Sequence, residues 1–286
     1  MSPTAPHCAA STLTAAVVHG PPRPARVVAA TRGALYLLVR GSRTPLALLA
    51  PDAVRVPAAV VLPAAAGDRP FAGLGPGRAG RVGGGRIAVG PLCLTAGVSW
   101  APPRAQDTPP GRALDVLAAL PPPRPLPPGV RAAAAQTVRA LAYAHPGAVR
   151  RSAARLLGLG PGLTPSGDDF LCGLLLAAHL APYAPPWLGP LAALAARAEG
   201  STPLVSAALL RHAATGHCVP QAAALLRAAA TGTGLVGPLA ALLAVGHSSG
   251  GDLLQGLCAG ARVLSAGTRV PCATGLPGVS PKALTP

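Results

Sequence analysis

Two short motifs that begin 83 residues apart hold most of the residues with which this chain could do chemistry. The first reads Ser-Gly-Asp-Asp-Phe-Leu-Cys-Gly-Leu from residue 166, and the second reads Ser-Gly-Gly-Asp-Leu-Leu-Gln-Gly-Leu from residue 249. Three of the eight acidic residues of the chain lie inside them: Asp168, Asp169 and Asp252. Because carboxylates are so scarce, this concentration is the strongest functional signal in the sequence.

Both motifs have the residue types of a helix start, which leaves two interpretations open. In a capping box, the Ser that opens each motif would bond to the amide of the Asp three residues later, and that Asp would bond back. Alternatively, the exposed amides and partial positive charge of a helix N-terminus would bind a phosphate or carboxylate. Asp168 and the three glycines of the loop before it exceed what a cap requires. For the pair of motifs we therefore favour one pocket between two facing helix starts.

The residues before the motifs favour β-strands. Short runs rich in Val, Ile, Leu and Tyr are separated by Gly, Pro and Ser, a pattern typical of strands and turns. The expected strands are Arg26–Thr31, Ala34–Arg40, Pro45–Leu49, Ala53–Leu62 and Arg86–Leu94. We therefore predict an antiparallel β-rich domain over residues 1–100.

The rest of the chain favours helices. A proline-rich connector over residues 101–130 contains one expected helix, Pro109–Leu120, with proline at its first position. From residue 131 to residue 264, segments rich in Ala and Leu recur at helical length, and Gly or Pro punctuates nearly every joint. These expected helices are Arg131–Ala144, Pro146–Leu157, Gly167–Ala181, Trp187–Glu199, Pro203–Ala214, Gln221–Ala230, Leu235–Ala244 and Gly250–Leu264. The predicted fold class is α+β, with an N-terminal antiparallel β-rich domain, a C-terminal α-helical domain and a disordered tail over residues 265–286.

Composition and charge argue against a disordered protein and against a nucleic-acid-binding protein. Half of the 286 residues are hydrophobic, which argues against a wholly disordered chain. The net charge of +16 comes from 23 Arg and one Lys, but the arginines are spread along the chain. Aromatic residues, on which bases could stack, make up only 2%. Nucleic-acid binding is therefore the least favoured of the functions considered.

The sequence also bears on the compartment. Residues 1–20 lack the basic and apolar regions of a signal peptide. The most apolar run, Leu171–Ala181, is shorter than the roughly 20 residues that a membrane span needs. The six cysteines are scattered without a Cys-x-x-Cys pair, so we expect free thiols. The sequence thus predicts a cytoplasmic protein without membrane contact.

The motifs resemble those of a known family. The first motif with its loop, GLGPGLTPSGDDFLCG at 158–173, and the second, GHSSGGDLLQG at 246–256, resemble the AllH-like family. That family includes a subunit of oxamate carbamoyltransferase in anaerobic allantoin breakdown. The resemblance implies phosphorolysis of oxalurate to oxamate and carbamoyl phosphate, or the reverse reaction. It also implies other carbamoyltransferase subunits as partners.

With such substrates, a small carboxylate and a phosphate or carbamoyl phosphate would occupy the two anion-binding ends of the pocket. The expected acid–base residues are Asp168, Asp252 and His247, which directly precedes the second motif. The expected substrate-binding residues are Gly160, Gly162, Thr164, Ser166, Gly167, Asp169, Ser206, Ser248, Ser249 and Gly250. Among these, Ser206 is included on the family resemblance alone. Mg²⁺ bound through Asp168 or Asp169 is compatible with the sequence, although nothing requires a metal.

Two roles within such a system remain open. The chain is either an enzyme that turns over small molecules itself, or a non-catalytic subunit that binds a small anion or shapes an interface. The two roles differ in whether the purified chain is active without partner subunits, which the sequence does not decide.

Overall fold

The Val- and Leu-rich runs near the N-terminus fold into eight strands, as expected for β-branched and bulky aliphatic residues between turn residues. The computed structural model describes residues 6–109, 111–143 and 145–267. Its strands are β1 His7–Ser11, β2 Arg23–Ala30, β3 Ala34–Val39, β4 Leu46–Leu49, β5 Ala59–Val61, β6 Ala79–Gly83, β7 Arg86–Val89 and β8 Leu92–Trp100.

These strands form a closed barrel rather than the predicted antiparallel domain. The strand order is β1-β5-β4-β3-β2-β6-β7-β8, and β8 pairs with β1 to close the ring. Two of the pairings, β1 with β8 and β4 with β5, are parallel. The predicted α+β class is confirmed, and six of the eight pairings are antiparallel as expected, whereas these two are not. Because the barrel is closed, each described strand has a partner on both sides. The residue pattern of a strand does not show which other strands it pairs with, so the sequence did not predict the closure.

The barrel also contains strands that the residue pattern did not indicate. Neither β1 nor β6 was expected, because His-Cys-Ala-Ala-Ser and Ala-Gly-Arg-Val-Gly lack a clear apolar alternation. The predicted strand Arg86–Leu94 is two strands separated by a turn at Gly90, whose φ is +55°. In β6, a Cβ on Gly80 would lie 2.7 Å from the carbonyl oxygen of Ala88. Close pairing with β7 therefore favours glycine there.

The part of the chain after residue 108 is helical, as predicted. Apart from α1 (Ala15–Val18) near the N-terminus, the helices are α2 Ala113–Ala119, α3 Pro128–Ala142, α4 Pro146–Ala154, α5 Ser166–Ala178, α6 Leu188–Ala196, α7 Leu204–Ala214, α8 Pro220–Thr231, α9 Val236–Leu243 and α10 Ser249–Gly267. Helix α10 passes its predicted end at Leu264. The rest of the predicted disordered tail lies outside the described residues.

The helices α5 and α10, which begin with the two motifs, form the centre of the helical part. All residues of α5 are buried. A Cβ on Gly173 would collide with the carbonyl oxygen of Leu253, and one on Gly256 would collide with that of Phe170. The final Gly of each motif thus allows the two helices to touch backbone to backbone. This contact brings the two motifs together.

An ion-pair network joins the barrel to the helices. Arg43, in the loop between β3 and β4, donates from Nε to Oε1 of Glu199 at 3.1 Å. Arg211 on α7 donates from Nη1 to the same oxygen at 2.9 Å and from Nη2 to the carbonyl oxygen of Arg43 at 2.8 Å. The network holds α7 against the turn that connects β3 and β4.

Two further features concern the predicted compartment. The described cysteines are free thiols, namely Cys8, Cys93, Cys172, Cys218 and Cys258, whereas Cys272 lies outside the described residues. Across the described ranges, every helix falls short of the length or the apolar character that spanning a membrane requires.

Candidate functional site

A cavity of about 430 Å³ lies between the barrel and the starts of α5, α7 and α10. The barrel contributes mainly aliphatic residues to its wall, among them Leu49 and Val56. The motif region contributes the polar residues Thr164, Asp169 and Ser249. A cavity of this size, mostly apolar with a few polar groups, has the usual character of a small-molecule site.

The first motif does not form the capping box that its residue types allow. Helix α5 has Pro165 as its N-cap residue, without a side-chain capping bond, and Ser166 is already the first helical residue. The amides of Asp168 and Asp169 donate to the carbonyl oxygen of Pro165 at 2.9 and 3.1 Å. The capping interpretation is therefore wrong for this motif. Its carboxylates are available for other contacts.

Asp168 is fully buried and ties three segments of the chain together. Its Oδ1 accepts a hydrogen bond from the amide of Gly158 at 2.8 Å. Its Oδ2 accepts from the hydroxyl of Ser206 at 2.7 Å and from the hydroxyl of Thr202. Both oxygens are used inside the protein, and Asp168 is not among the residues that line the cavity. The contacts of Asp168 thus position the glycine loop and the start of α7.

Gly158 shows why this arrangement needs a glycine-rich loop. Its φ is +71°, in the left-handed region that favours glycine. A Cβ at this position would also collide with the carbonyl oxygen of Ser201. Glycine therefore lets the backbone pass close to residue 201 while its amide faces Asp168.

Asp169 is the carboxylate that faces the cavity. The residue is only 5% exposed, and its Oδ2 has no hydrogen-bond partner among the described residues. Burial, mainly, together with the carboxylates of Asp252 and Asp168, raises the pKa of Asp169 to about 7, against the opposing effect of the Ser249 hydroxyl. Both the charged and the neutral form are therefore populated near neutral pH, which suits a group that exchanges protons or hydrogen bonds with a ligand.

The hydroxyl groups of Thr164 and Ser249 connect the loop before the first motif to the start of the second motif. Thr164 Oγ1 lies 2.9 Å from Ser249 Oγ, and either atom can donate. Both residues line the cavity. We predicted that the two motif regions form one pocket. In the structure they touch directly through these two side chains.

Asp252, the equivalent of Asp169 in the second motif, is held from outside the motifs. It is fully buried, and its Oδ1 accepts from Nη2 of Arg124 at 3.1 Å. The same Nη2 donates to the carbonyl oxygen of Ser248 at 3.4 Å. Asp252 does not line the cavity. Sequence reasoning missed Arg124, because a single arginine between Pro123 and Pro125 carries no motif that would connect it to residue 252.

The histidines are arranged differently from the prediction. His247, the expected acid–base residue, is exposed and does not line the cavity. His217, which was not predicted as a site residue, does line it, and its Nδ1 lies 2.9 Å from Thr215 Oγ1. Burial, mainly, together with nearby Arg104 and His179, lowers the pKa of His217. This side chain is therefore neutral at neutral pH.

The other predicted substrate-binding residues lie outside the cavity wall. They are Gly160, Gly162, Ser166, Gly167, Ser206, Ser248 and Gly250. Gly167 and Gly250 occupy equivalent motif positions, and a Cβ on either would collide with a carbonyl oxygen of the preceding segment. Glycine at these two positions lets each helix start pack closely against the segment that precedes it.

The charges around the cavity do not favour a strongly anionic ligand. No arginine or lysine is among the described residues that line it, while three carboxylates lie in or directly behind its wall. Nor do the donors fit a dedicated Mg²⁺ site. Both oxygens of Asp168 are already used, and the described residues contain no group of three His, Cys, Asp or Glu placed to hold a metal ion.

Comparison with known families identifies the segment that carries this site. No solved structure matches the chain. Residues 156–261 match the family model described as oxamate carbamoyltransferase subunit AllH. The match includes both motifs, the three buried carboxylates, and α5 to α9 with most of α10. Residues 156–261 of this chain are therefore similar, as the motifs predicted, to the family of oxamate carbamoyltransferase subunit AllH.

Proposed function

We propose that this chain is a subunit of a carbamoyltransferase complex and that its cavity binds the carbamoyl-bearing substrate through Asp169. The family match supports the setting, since that family is described as a subunit of oxamate carbamoyltransferase. The observation that carries the proposal is the buried carboxyl group of Asp169, which lines the cavity together with Thr164 and Ser249. A buried carboxyl group with few hydrogen bonds is costly, and a ligand that bonds to Asp169 from the cavity would offset part of that cost.

A carbamoyl group matches this edge of the cavity chemically. It offers N–H donors and a carbonyl acceptor on neighbouring atoms. The ionised carboxylate of Asp169 accepts from the N–H group, and its protonated form donates to the carbonyl oxygen. The hydroxyls of Thr164 and Ser249 provide two further groups that can donate or accept at the same edge. Asp169 is thus better placed than Asp168 or His247 to orient the ligand or to move a proton.

The described residues that line the cavity offer no equivalent site for the phosphate half of the reaction. In the phosphorolysis of oxalurate, a phosphate oxygen attacks the ureido carbonyl, the C–N bond breaks, and oxamate and carbamoyl phosphate are formed. The developing negative charge needs cationic side chains or donors. The described residues lining the cavity include no arginine or lysine. We therefore favour a subunit that depends on its partners for the chemical step over a chain that is active alone.

Two measurements on the purified chain test this function. Thermal unfolding with oxalurate, oxamate and carbamoyl phosphate reports binding, because a ligand at about 100 times its Kd stabilises the folded state by roughly 2.7 kcal/mol. We expect stabilisation by oxalurate or another carbamoyl compound that is lost in Asp169→Asn. The matched control is Asp115→Asn, since Asp115 is exposed on α2.

The second measurement is the formation of carbamoyl phosphate from oxalurate and phosphate. We expect no turnover by the chain alone and turnover when the partner subunits are added. Turnover by the isolated chain would refute the dependent role. Binding that is unaffected by Asp169→Asn would refute the assignment of the site.

A further inference from the structure

We infer that the ligand of the cavity carries an apolar body attached to its carbamoyl group, so that this chain binds an aliphatic or aromatic amide or urea rather than oxamate itself. This inference rests on the proposed function and deepens it. It assigns the ligand class from the wall of the cavity opposite Asp169.

The first observation is the size of the cavity. Its volume of about 430 Å³ lies in the range typical of drug-sized ligands. Oxamate consists of an amide joined directly to a carboxylate and has no further atoms. Contact with Asp169 and Ser249 would leave most of the cavity unfilled.

The second observation is the chemistry of the remaining wall. The barrel side presents Leu49, Val54 and Val56, and the helices α5, α7 and α10 present Leu176, Leu209 and Leu253. These side chains lie on three helices and on the barrel, so the apolar surface surrounds the ligand space rather than flanking it on one side. Such a wall favours ligands that bury apolar surface.

The third observation is the sign of the local charge. Asp169 lies in the wall, with Asp252 and Asp168 close enough to raise its pKa. Arg124 pairs with Asp252 behind the wall, but no arginine or lysine is among the described residues that line the cavity. The carboxylate of oxamate would enter this region unpaired, which is unfavourable in a buried site. A neutral carbamoyl group with a hydrocarbon body avoids this penalty.

A homologous series tests the inference directly. Binding of acetamide, butanamide and hexanamide is measured by isothermal titration calorimetry on the full chain, with oxamate, oxalurate and phenylurea alongside. Each methylene that enters the apolar space should tighten binding by about fourfold. We expect hexanamide and phenylurea to bind more tightly than oxamate and oxalurate.

Two variants separate the polar edge from the apolar wall. Val56→Thr, which nearly preserves shape, should weaken hexanamide about fivefold more than it weakens acetamide. Asp169→Asn should weaken every amide of the series. The guanidinium chloride denaturation curve of each variant without ligand shows whether it has kept the native fold. If Val56→Thr does not fold, the dependence of affinity on chain length in the native protein is by itself decisive.

The outcomes distinguish this inference from the proposed function. Tight binding of oxalurate with no gain along the amide series would overturn the apolar ligand class while leaving the proposed function intact. Tighter binding of hexylamine than of hexanamide would overturn the carbamoyl class, because the cavity would then select a cation. Failure of every carbamoyl compound to bind would remove both proposals.

Discussion

Replacing Asp169 with Asn gives the sharpest test of the site, because the exchange keeps the size of the side chain and removes its charge. Burial raises the pKa of Asp169 from the ordinary value of 3.8 to about 7. The residue is only 5% exposed, so solvent screening does not weaken this effect. A difference of about three pKa units corresponds to about 4 kcal/mol.

The sign follows from proton linkage. Since its folded-state pKa is raised, the folded protein binds the Asp169 proton more tightly than the unfolded chain does. The stability that this proton contributes is complete below the unfolded-state pKa and is lost as the pH rises through about 7. The Asn variant does not titrate in this range. The free energy of unfolding of Asp169→Asn, minus that of the native protein, should therefore rise by about 4 kcal/mol between pH 4 and pH 8.

The assay is guanidinium chloride denaturation followed by circular dichroism at one-unit pH steps. Taking the difference between the two proteins cancels the titrating groups that do not interact with Asp169. Asp115→Asn, at an exposed position on α2, is the control, and its difference should stay within about 0.5 kcal/mol across the range. A difference for Asp169→Asn that is constant with pH would mean that this carboxyl group ionises as freely as in solution. The reasoning from its burial beside the cavity would then be refuted.

Four further variants test the packing around the site and the titration of a buried histidine. Asp168→Ala removes the acceptor of three hydrogen bonds, and guanidinium chloride denaturation should show a loss of at least about 3 kcal/mol of unfolding free energy. Gly173→Ala should cost about 3 kcal/mol or more in the same assay, because the new methyl group collides with the backbone of α10. Gly129→Ala, in an open helical position, should instead add about 1 kcal/mol, and equal effects of the two alanines would contradict the close helix contact. Burial, mainly, lowers the pKa of His212 from 6.5 to about 4, so the unfolded chain binds more protons between these values and stability should fall as the pH drops through this window. His212→Asn should flatten that slope by up to about 3 kcal/mol in a pH series of melts, and an unchanged slope would show that another group causes it.

Much of the helical part follows from the sequence. Segments rich in Ala and Leu end at Gly or Pro because these residues disfavour the helical backbone locally. Such signals need no information about distant residues, and each predicted helix after residue 108 is present. The motif repeat also predicts that the two helix starts face each other, although only the structure shows that Gly173 and Gly256 form the contact between the helices.

The barrel depends on information that no local window contains. Strand β6 is a strand because β2 and β7 pair with it on either side, not because of its own residues. The parallel pairing of β8 with β1 joins segments at opposite ends of the barrel sequence. Only the closed structure places Leu49, Val54 and Val56 opposite the motifs, and with them the apolar half of the cavity.

The clearest division concerns the two adjacent carboxylates of the first motif. The sequence places Asp168 and Asp169 at a helix start within a family motif, and from it we expected Asp168 to act as an acid–base residue and Asp169 to bind substrate. On an α-helix, successive side chains point about 100° apart. Asp168 therefore turns towards Thr202, Ser206 and the amide of Gly158, while Asp169 turns towards the cavity. Which of the two has its bonds satisfied within the protein and which is left for a ligand depends on what packs around the helix, and only the tertiary structure decides that.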